Sequence, residues 1–197
     1  MLFESKINLR MKDADITYYP KFFSTVESDF LLEKLLKNTN WQQDTITVFG
    51  KTHLQPRLTA FYADNNKPYK YSNIIMQPHE FDGELLKIKN TIETELNIKF
   101  TSCLANLYRD GKDSNGWHAD NEKELGKNPI IASVSFGTER AFHFKHRFNK
   151  NLKQKLTLEH GSLLLMKGKT QANWLHQIPK TKKEIGKRIN LTFRIIA

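Results

Sequence analysis

The residues with the most chemistry to offer sit in Gly116-Trp117-His118-Ala119-Asp120-Asn121-Glu122. In an extended strand, residues i and i+2 point the same way, so His118 and Asp120 project together while Ala119 turns aside. An imidazole beside a carboxylate suits a divalent metal. A third ligand from elsewhere would complete the 2-His-1-carboxylate facial set, which leaves positions on Fe(II) open. The plain alternative is a hydrogen-bonded polar pair at a strand end. The chain has seven histidines, and His53, His79, His143, His146 and His160 compete with His176 for the third position. His176 stands among apolar neighbours in Trp174-Leu175-His176-Gln177-Ile178.

A second constellation lies near the C-terminus, in Arg188-Ile189-Asn190-Leu191-Thr192-Phe193-Arg194-Ile195. Read as a strand, it has Ile189, Leu191, Phe193 and Ile195 on one face and Arg188, Asn190, Thr192 and Arg194 on the other. An ordinary half-exposed strand would turn the polar face to water. Two guanidinium groups flanking an amide and a hydroxyl also suit a dicarboxylate, because guanidinium grips carboxylates through paired hydrogen bonds. Asn106 and Tyr108 repeat the same-face i, i+2 arrangement upstream. A hydrolytic zinc site has no use for a dicarboxylate clamp, so the two constellations together favour a metal with open coordination and an acidic cosubstrate.

These residues need elements to carry them. Ser24-Thr25-Val26-Glu27 is a capping box, and Val26, Phe30, Leu31 and Leu35 follow near helical spacing, which predicts a helix over about 24–38. Leu85, Ile88, Ile92 and Leu96 mark a second helix that ends near Asn97. Between them Ile46–Lys51 reads as a strand running into a turn at Gly50, and Pro56–Tyr62 as another strand. Asn65–Pro68 then breaks the chain before Tyr69-Lys70-Tyr71. From Phe100 onward the pattern is nearly all strand: Ser102–Arg109, Ile130–Phe136, Ala141–Arg147, Lys155–Glu159, Ser162–Met166, Asn173–Ile178 and Arg188–Ile196. Short strands with turns between them indicate a sandwich or barrel. Residues 1–23 give no clear pattern. The expected class is α+β, a single domain with N-terminal helices packed on a double-stranded β-helix (jelly-roll) core. Its parts would be a helical extension over about 1–44, a recognition region over about 45–99 and the jelly-roll over about 100–197.

Bulk properties narrow the setting. At 197 residues the chain suffices for one sizeable core, and Lys plus Arg exceed Asp plus Glu by 31 − 21 = 10, for a pI near 9.6. That excess attracts polyanions, so nucleic acid is the first partner to consider. One cysteine, Cys103, rules out an intrachain disulfide and a thiolate zinc cluster. The start shows no signal-peptide segment, and no run approaches the roughly 20 apolar residues of a membrane span. A monomer in the cytoplasm, or the nucleus of a eukaryote, is the expectation.

Taken in order, Asn106-Leu107-Tyr108, His118-Ala119-Asp120, the lone His176 and Arg188–Arg194 resemble the signature of the AlkB-type Fe(II)/2-oxoglutarate dioxygenases, and Pro129–Gly137 looks like the same family's text. The resemblance covers roughly residues 45–197. It implies that His118, Asp120 and His176 bind Fe(II), and that Asn106, Tyr108, Arg188, Asn190, Thr192 and Arg194 seat 2-oxoglutarate. It also implies DNA repair by oxidative demethylation of N1-methyladenine and N3-methylcytosine, consuming O2 and 2-oxoglutarate and releasing succinate, CO2 and formaldehyde.

The resemblance extends to how a base is gripped. A base must leave its stack to reach an interior iron. Val48-Phe49-Gly50 looks like the apolar finger of the duplex-acting branch, suited to wedging between base steps, and Arg57 stands where that branch has a residue near the duplex. Tyr69 and Tyr71 match positions that contact the flipped base, Glu122 a position that reads its exocyclic amine, and Asn121 replaces an acidic residue common there. Lys182 and Lys183 keep two positions of a basic triplet that holds the opposite strand. The charged segment Lys145-His146-Arg147 with Lys150 and Lys153 offers further phosphate contacts. Other readings are an RNA or single-strand demethylase of the same family, and a catalytically idle nucleic-acid-binding jelly-roll.

Overall fold

Helix α1 (Thr25–Asn38) starts where the Ser24 hydroxyl accepts a hydrogen bond from the Glu27 amide at 3.3 Å, which satisfies one of the free N–H groups of the first turn. Helix α2 (Gly83–Leu96) stops at Asn97, whose φ of 52° and ψ of 44° place it in the left-handed region that asparagine tolerates. Both ends fall where the sequence predicts them. The computed structural model describes residues 6–48, 50–65, 69–71 and 74–196. Phe49, the expected finger tip, lies outside the described residues. For Val48, Tyr69 and Tyr71 only the backbone is described.

Along the chain the strands are β1 (Ile7–Asn8), β2 (Asp15–Tyr19), β3 (Thr45–Val48), β4 (Lys51–Leu54), β5 (Leu58–Ala63), β6 (Tyr69–Tyr71), β7 (Ile74–Met76), β8 (Ser102–Tyr108), β9 (Asn115–His118), β10 (Ile131–Gly137), β11 (Arg140–His146), β12 (Lys153–Leu158), β13 (Ser162–Lys167), β14 (Trp174–Ile178) and β15 (Arg188–Arg194). A one-turn helix α3 (Thr170–Asn173) leads into β14. The major sheet has the order β1-β2-β13-β10-β15-β8-β5 and the minor sheet β12-β11-β14-β9. Every pairing within them is antiparallel. The two sheets form the jelly-roll, and β3–β4 and β6–β7 are separate two-stranded ribbons.

The period-2 alternation of β15 decides what each side of the major sheet meets. Ile189, Leu191 and Phe193 share an apolar cluster with Leu31 and Leu35 of α1 and with Leu85, Ile88 and Ile92 of α2. Each such side chain contributes roughly 1.5–3 kcal/mol by leaving water. The other side faces the minor sheet, where Phe142, Phe144, Trp174 and Ile178 form a second cluster. Arg188, Asn190, Thr192 and Arg194 point into that interior and are all buried.

Three segments differ from expectation. Residues 15–19 form β2 and pair with β13 in the major sheet; five residues with only Ile16 and Tyr18 buried carry too short a pattern to read without the partner. Ile46–Lys51, expected as a strand running into a turn at Gly50, is β3 with that turn at Gly50 (φ +75°), but the chain then returns as a partner strand, β4, that was not expected. The residues of β4 are all exposed, so no apolar alternation marks the second strand. The strand expected to hold both His118 and Asp120 ends at His118, which pairs with His176 of β14.

Candidate active site

Strands β9 and β14 are neighbours and set His118 opposite His176, with ring centroids 4.3 Å apart. Asp120, two residues past its partner, brings its carboxylate to 3.6 Å from His176 Nε2. One ligand atom from each of the three residues lies within 4.8 Å of the others. The competing histidines lie elsewhere. His79 packs against Tyr62, His143 pairs across from Lys155, His146 Nδ1 accepts from the Phe148 and Asn149 amides, His160 Nδ1 accepts from the Gly137 amide, and His53 is exposed on β4.

The protonation states suit a metal. His118 Nδ1 lies 2.7 Å from the Gly116 carbonyl, which can only accept, so Nδ1 carries the proton; Asn115 Nδ2, which can only donate, lies 3.2 Å from Nε2, so Nε2 keeps its lone pair. Burial above all pushes the His176 imidazole down to about 3, so it is neutral at ordinary pH. Phe142 stacks on that ring at 5.1 Å. Burial pushes the Asp120 carboxyl up, but the Arg194 guanidinium beside it leads the effects that outweigh burial and hold the carboxyl at about 2. Arg194 Nη2 donates to Asp120 Oδ1 at 2.5 Å. Two neutral imidazoles and one carboxylate can ligate a divalent cation without first shedding protons.

Beside this triad the polar face of β15 meets its neighbours in register. Asn190 stands opposite Ser135 on one side and Asn106 on the other, and Arg188 stands opposite Tyr108. Asn190 Nδ2 donates to Ser133 Oγ at 2.7 Å, Thr192 Oγ1 donates to Asn190 Oδ1 at 3.0 Å, and Arg188 Nη2 donates to Ser135 Oγ at 2.9 Å. The Arg188 guanidinium lies 5.2 Å from the Tyr108 ring centre, and burial pushes its pKa down to about 10. Its Nε and Nη1 have no hydrogen-bond partner among the described residues. A buried cation with two unused donors is costly until an anion satisfies it, which fits one carboxylate of 2-oxoglutarate.

All nine residues expected at iron and cosubstrate line one cavity between the sheets: Asn106, Tyr108, His118, Asp120, His176, Arg188, Asn190, Thr192 and Arg194. The residues expected at the nucleic acid are more scattered. Glu122 caps the single turn Lys123–Leu125. Its Oε2 is buried without a hydrogen-bond partner among the described residues, and burial, opposed by Arg194 and reinforced by Asp120, raises its pKa. Asn121 beside it is exposed, as are Lys182 and Lys183, which flank an open groove with Gly111 and Lys112. Arg57 corrects an expectation: it is 5% exposed and turns inward, where Nε donates to Asn106 Oδ1 at 2.8 Å. The strand pairing Leu58↔Leu107 and Thr59↔Asn106 explains this, since Arg57 enters β5 directly beside the seat.

Several contributors went unread in the sequence. Ser133 and Ser135 hold the β15 donors, and Ser-x-Ser inside an otherwise apolar strand was their signal. Arg140 donates to the carbonyls of Asp110, Asp113 and Pro179 and stands over the Tyr108 ring at 5.6 Å. Gln171 accepts from the Asp120 amide, a contact between residues too far apart in the chain for any local pattern to announce.

Comparisons with known proteins agree with this geometry. The family described as the 2OG-Fe(II) oxygenase superfamily matches residues 15–194. The human alpha-ketoglutarate-dependent dioxygenase alkB homolog 3 is 41% identical over 190 residues, covering 92% of this chain and 66% of that protein. The human DNA oxidative demethylase ALKBH2 is 34% identical, covering 96% of this chain and 76% of that protein. The chain thus spans just under two thirds of the alkB homolog 3 length. The solved structure of OsALKBH1 superposes with a TM-score of 0.67 at 19% identity, covering 97% of this chain and 100% of that one, a likeness of fold.

Proposed function

The chain belongs to the 2OG-Fe(II) oxygenase superfamily and, within it, to the AlkB-type dioxygenases, and from that premise we propose that it removes N-methyl groups from alkylated bases in DNA. N1-methyladenine and N3-methylcytosine are the proposed lesions. The observation that carries this reading is the single cavity lined by the His118, Asp120 and His176 triad and by Arg188, whose Nε and Nη1 lack partners among the described residues. When bound, Fe(II) and 2-oxoglutarate supply with O2 the oxidising power that hydroxylates an N-methyl carbon, giving succinate, CO2 and formaldehyde.

The chain's own residues hold and shield these groups. His118 Nε2, the Asp120 carboxylate and a neutral His176 would ligate iron. Arg188 would pair with a carboxylate of the cosubstrate through its two unused donors, while Asn106, Tyr108, Asn190 and Thr192 fill the rest of the seat. Arg194 fixes the carboxylate of Asp120 from behind. Phe142 and Phe144 against His176 keep water from the ligand side. Glu122 Oε2, without a partner among the described residues, is suited to accept a hydrogen bond from the exocyclic amine of a base.

A duplex substrate is the form we propose, with the β3–β4 hairpin as the finger and Phe49 at its tip. A hairpin that turns at Gly50 and whose second strand is exposed is a support from which an apolar side chain can enter a base step. The test is formaldehyde release from N1-methyladenine oligonucleotides, single- and double-stranded, with Fe(II), 2-oxoglutarate and O2. The wild type should release formaldehyde and His118→Ala should not; turnover surviving in His118→Ala overturns the triad. Phe49→Ala should lower duplex turnover more than single-strand turnover, and equal losses remove the finger and leave the single-strand reading.

A further inference from the structure

Asp120 has a problem that the other two ligands do not. His118 and His176 sit in paired strands, where the ladder holds their backbones. Asp120 lies past the end of β9, so no strand partner holds its backbone, although Arg194 holds its carboxylate. The Asp120 amide instead donates to Gln171 Oε1 at 3.0 Å. Gln171 is 1% exposed, and its Nε2 donates to Met166 Sδ at 3.5 Å. An amide N–H can only donate, so the Gln171 oxygen must face Asp120 and the side-chain orientation is set by chemistry. Gln171 belongs to α3, which runs directly into the strand carrying His176.

We propose that Gln171 is a positioning residue for the metal site, and this rests on the reading of His118, Asp120 and His176 as the metal ligands. One side chain ties the segment bearing Asp120 to the segment bearing His176, and its back is braced on Met166 of β13. It supplies the hydrogen bond that the missing strand partner would have given. Without it the Arg194 contact is left to hold the Asp120 carboxylate near the two imidazoles, with the backbone of Asp120 no longer tied to the His176 segment. Partners of this kind, which touch a ligand rather than the metal, typically govern metal affinity by about 10–100-fold.

The experiment uses Mn(II) as an air-stable probe, titrated calorimetrically into the full chain after chelation of resident metal, together with the melting temperature of the metal-free protein. Gln171→Met keeps the length and the apolar contact but removes the acceptor. Gln171→Glu keeps an oxygen within reach of the amide. The wild type should bind one Mn(II), Gln171→Met should bind about tenfold or more weakly, and Gln171→Glu should remain within about threefold of wild type, since a retained acceptor keeps most of the hydrogen bond. If Gln171→Met melts lower yet binds Mn(II) like the wild type, Gln171 is only a packing residue and the inference fails. It also fails if Gln171→Glu loses as much affinity as Gln171→Met. Absence of Mn(II) binding by the wild type would instead overturn the ligand assignment itself.

Discussion

The site depends on a few buried polar side chains whose partners are fixed by register. Arg57 shows how much one such contact changes a role. It sits behind the cosubstrate seat, where its guanidinium holds the Asn106 carbonyl oxygen and leaves Nδ2 to the Leu104 carbonyl or to a ligand. A hydrogen bond from a charged donor contributes about 1.5–3 kcal/mol. Arg57→Ala should therefore raise the 2-oxoglutarate dissociation constant about tenfold, read by calorimetry on the metal-loaded protein, with affinity for a methylated oligonucleotide unchanged. The reverse pattern would return Arg57 to the nucleic-acid surface. What the sequence made legible at this scale is the donor set: His-x-Asp, Asn-x-Tyr and the arginine strand all reach one cavity. It did not reveal which direction Arg57 faces, because a residue entering a strand can point to either side until its partner is known.

The elements were legible where a single strand or helix carries its own signal. Ser24 caps α1 and Asn97 closes α2, both written in local residue types. β2 and β4 were not, since β2 is defined by a partner distant in sequence and the exposed strand β4 has no apolar face. The end of α2 also offers a pH test. Glu93 is buried there, and Lys99, Lys89 and the Phe100 amide reach its carboxylate. Burial pushes this carboxyl up, but the Lys99 hydrogen bond, the Phe100 amide and Lys89 outweigh it and lower its pKa. A carboxyl lowered by folding adds stability that is full above its unfolded pKa of about 4.3 and is lost as pH falls through the folded value. The melting temperature should fall on acidification from pH 5 to pH 3, by less in Glu93→Gln than in the wild type once their neutral-pH difference is subtracted. Parallel curves would mean that the lysines do not stabilise the charged form.

At the scale of the molecule, the excess of 10 positive charges and the exposed Lys182 and Lys183 make nucleic-acid affinity a counterion-release problem. Each phosphate neutralised on duplex DNA adds about −0.9 to the slope of log affinity against log salt. Changing Lys182 and Lys183 together to alanine should flatten that slope by about 2, while an unchanged slope would make the loop a solvated one. The jelly-roll itself was foreseeable from short strands and turn spacing. Its division into a seven-stranded and a four-stranded sheet was not, because pairing order is set by contacts across the whole chain.

The central claim is that one cavity holds a metal and a dicarboxylate side by side, with Arg188 as the anionic group's partner. The most direct measurement is the calorimetric titration of 2-oxoglutarate into the Mn(II)-loaded protein, its metal-free form and Arg188→Met. The wild type should bind one 2-oxoglutarate per chain, more weakly without metal, and at least about tenfold more weakly in Arg188→Met, which leaves a carboxylate without its charged partner. Equal affinity in all three would contradict the account, because the dicarboxylate would then bind elsewhere.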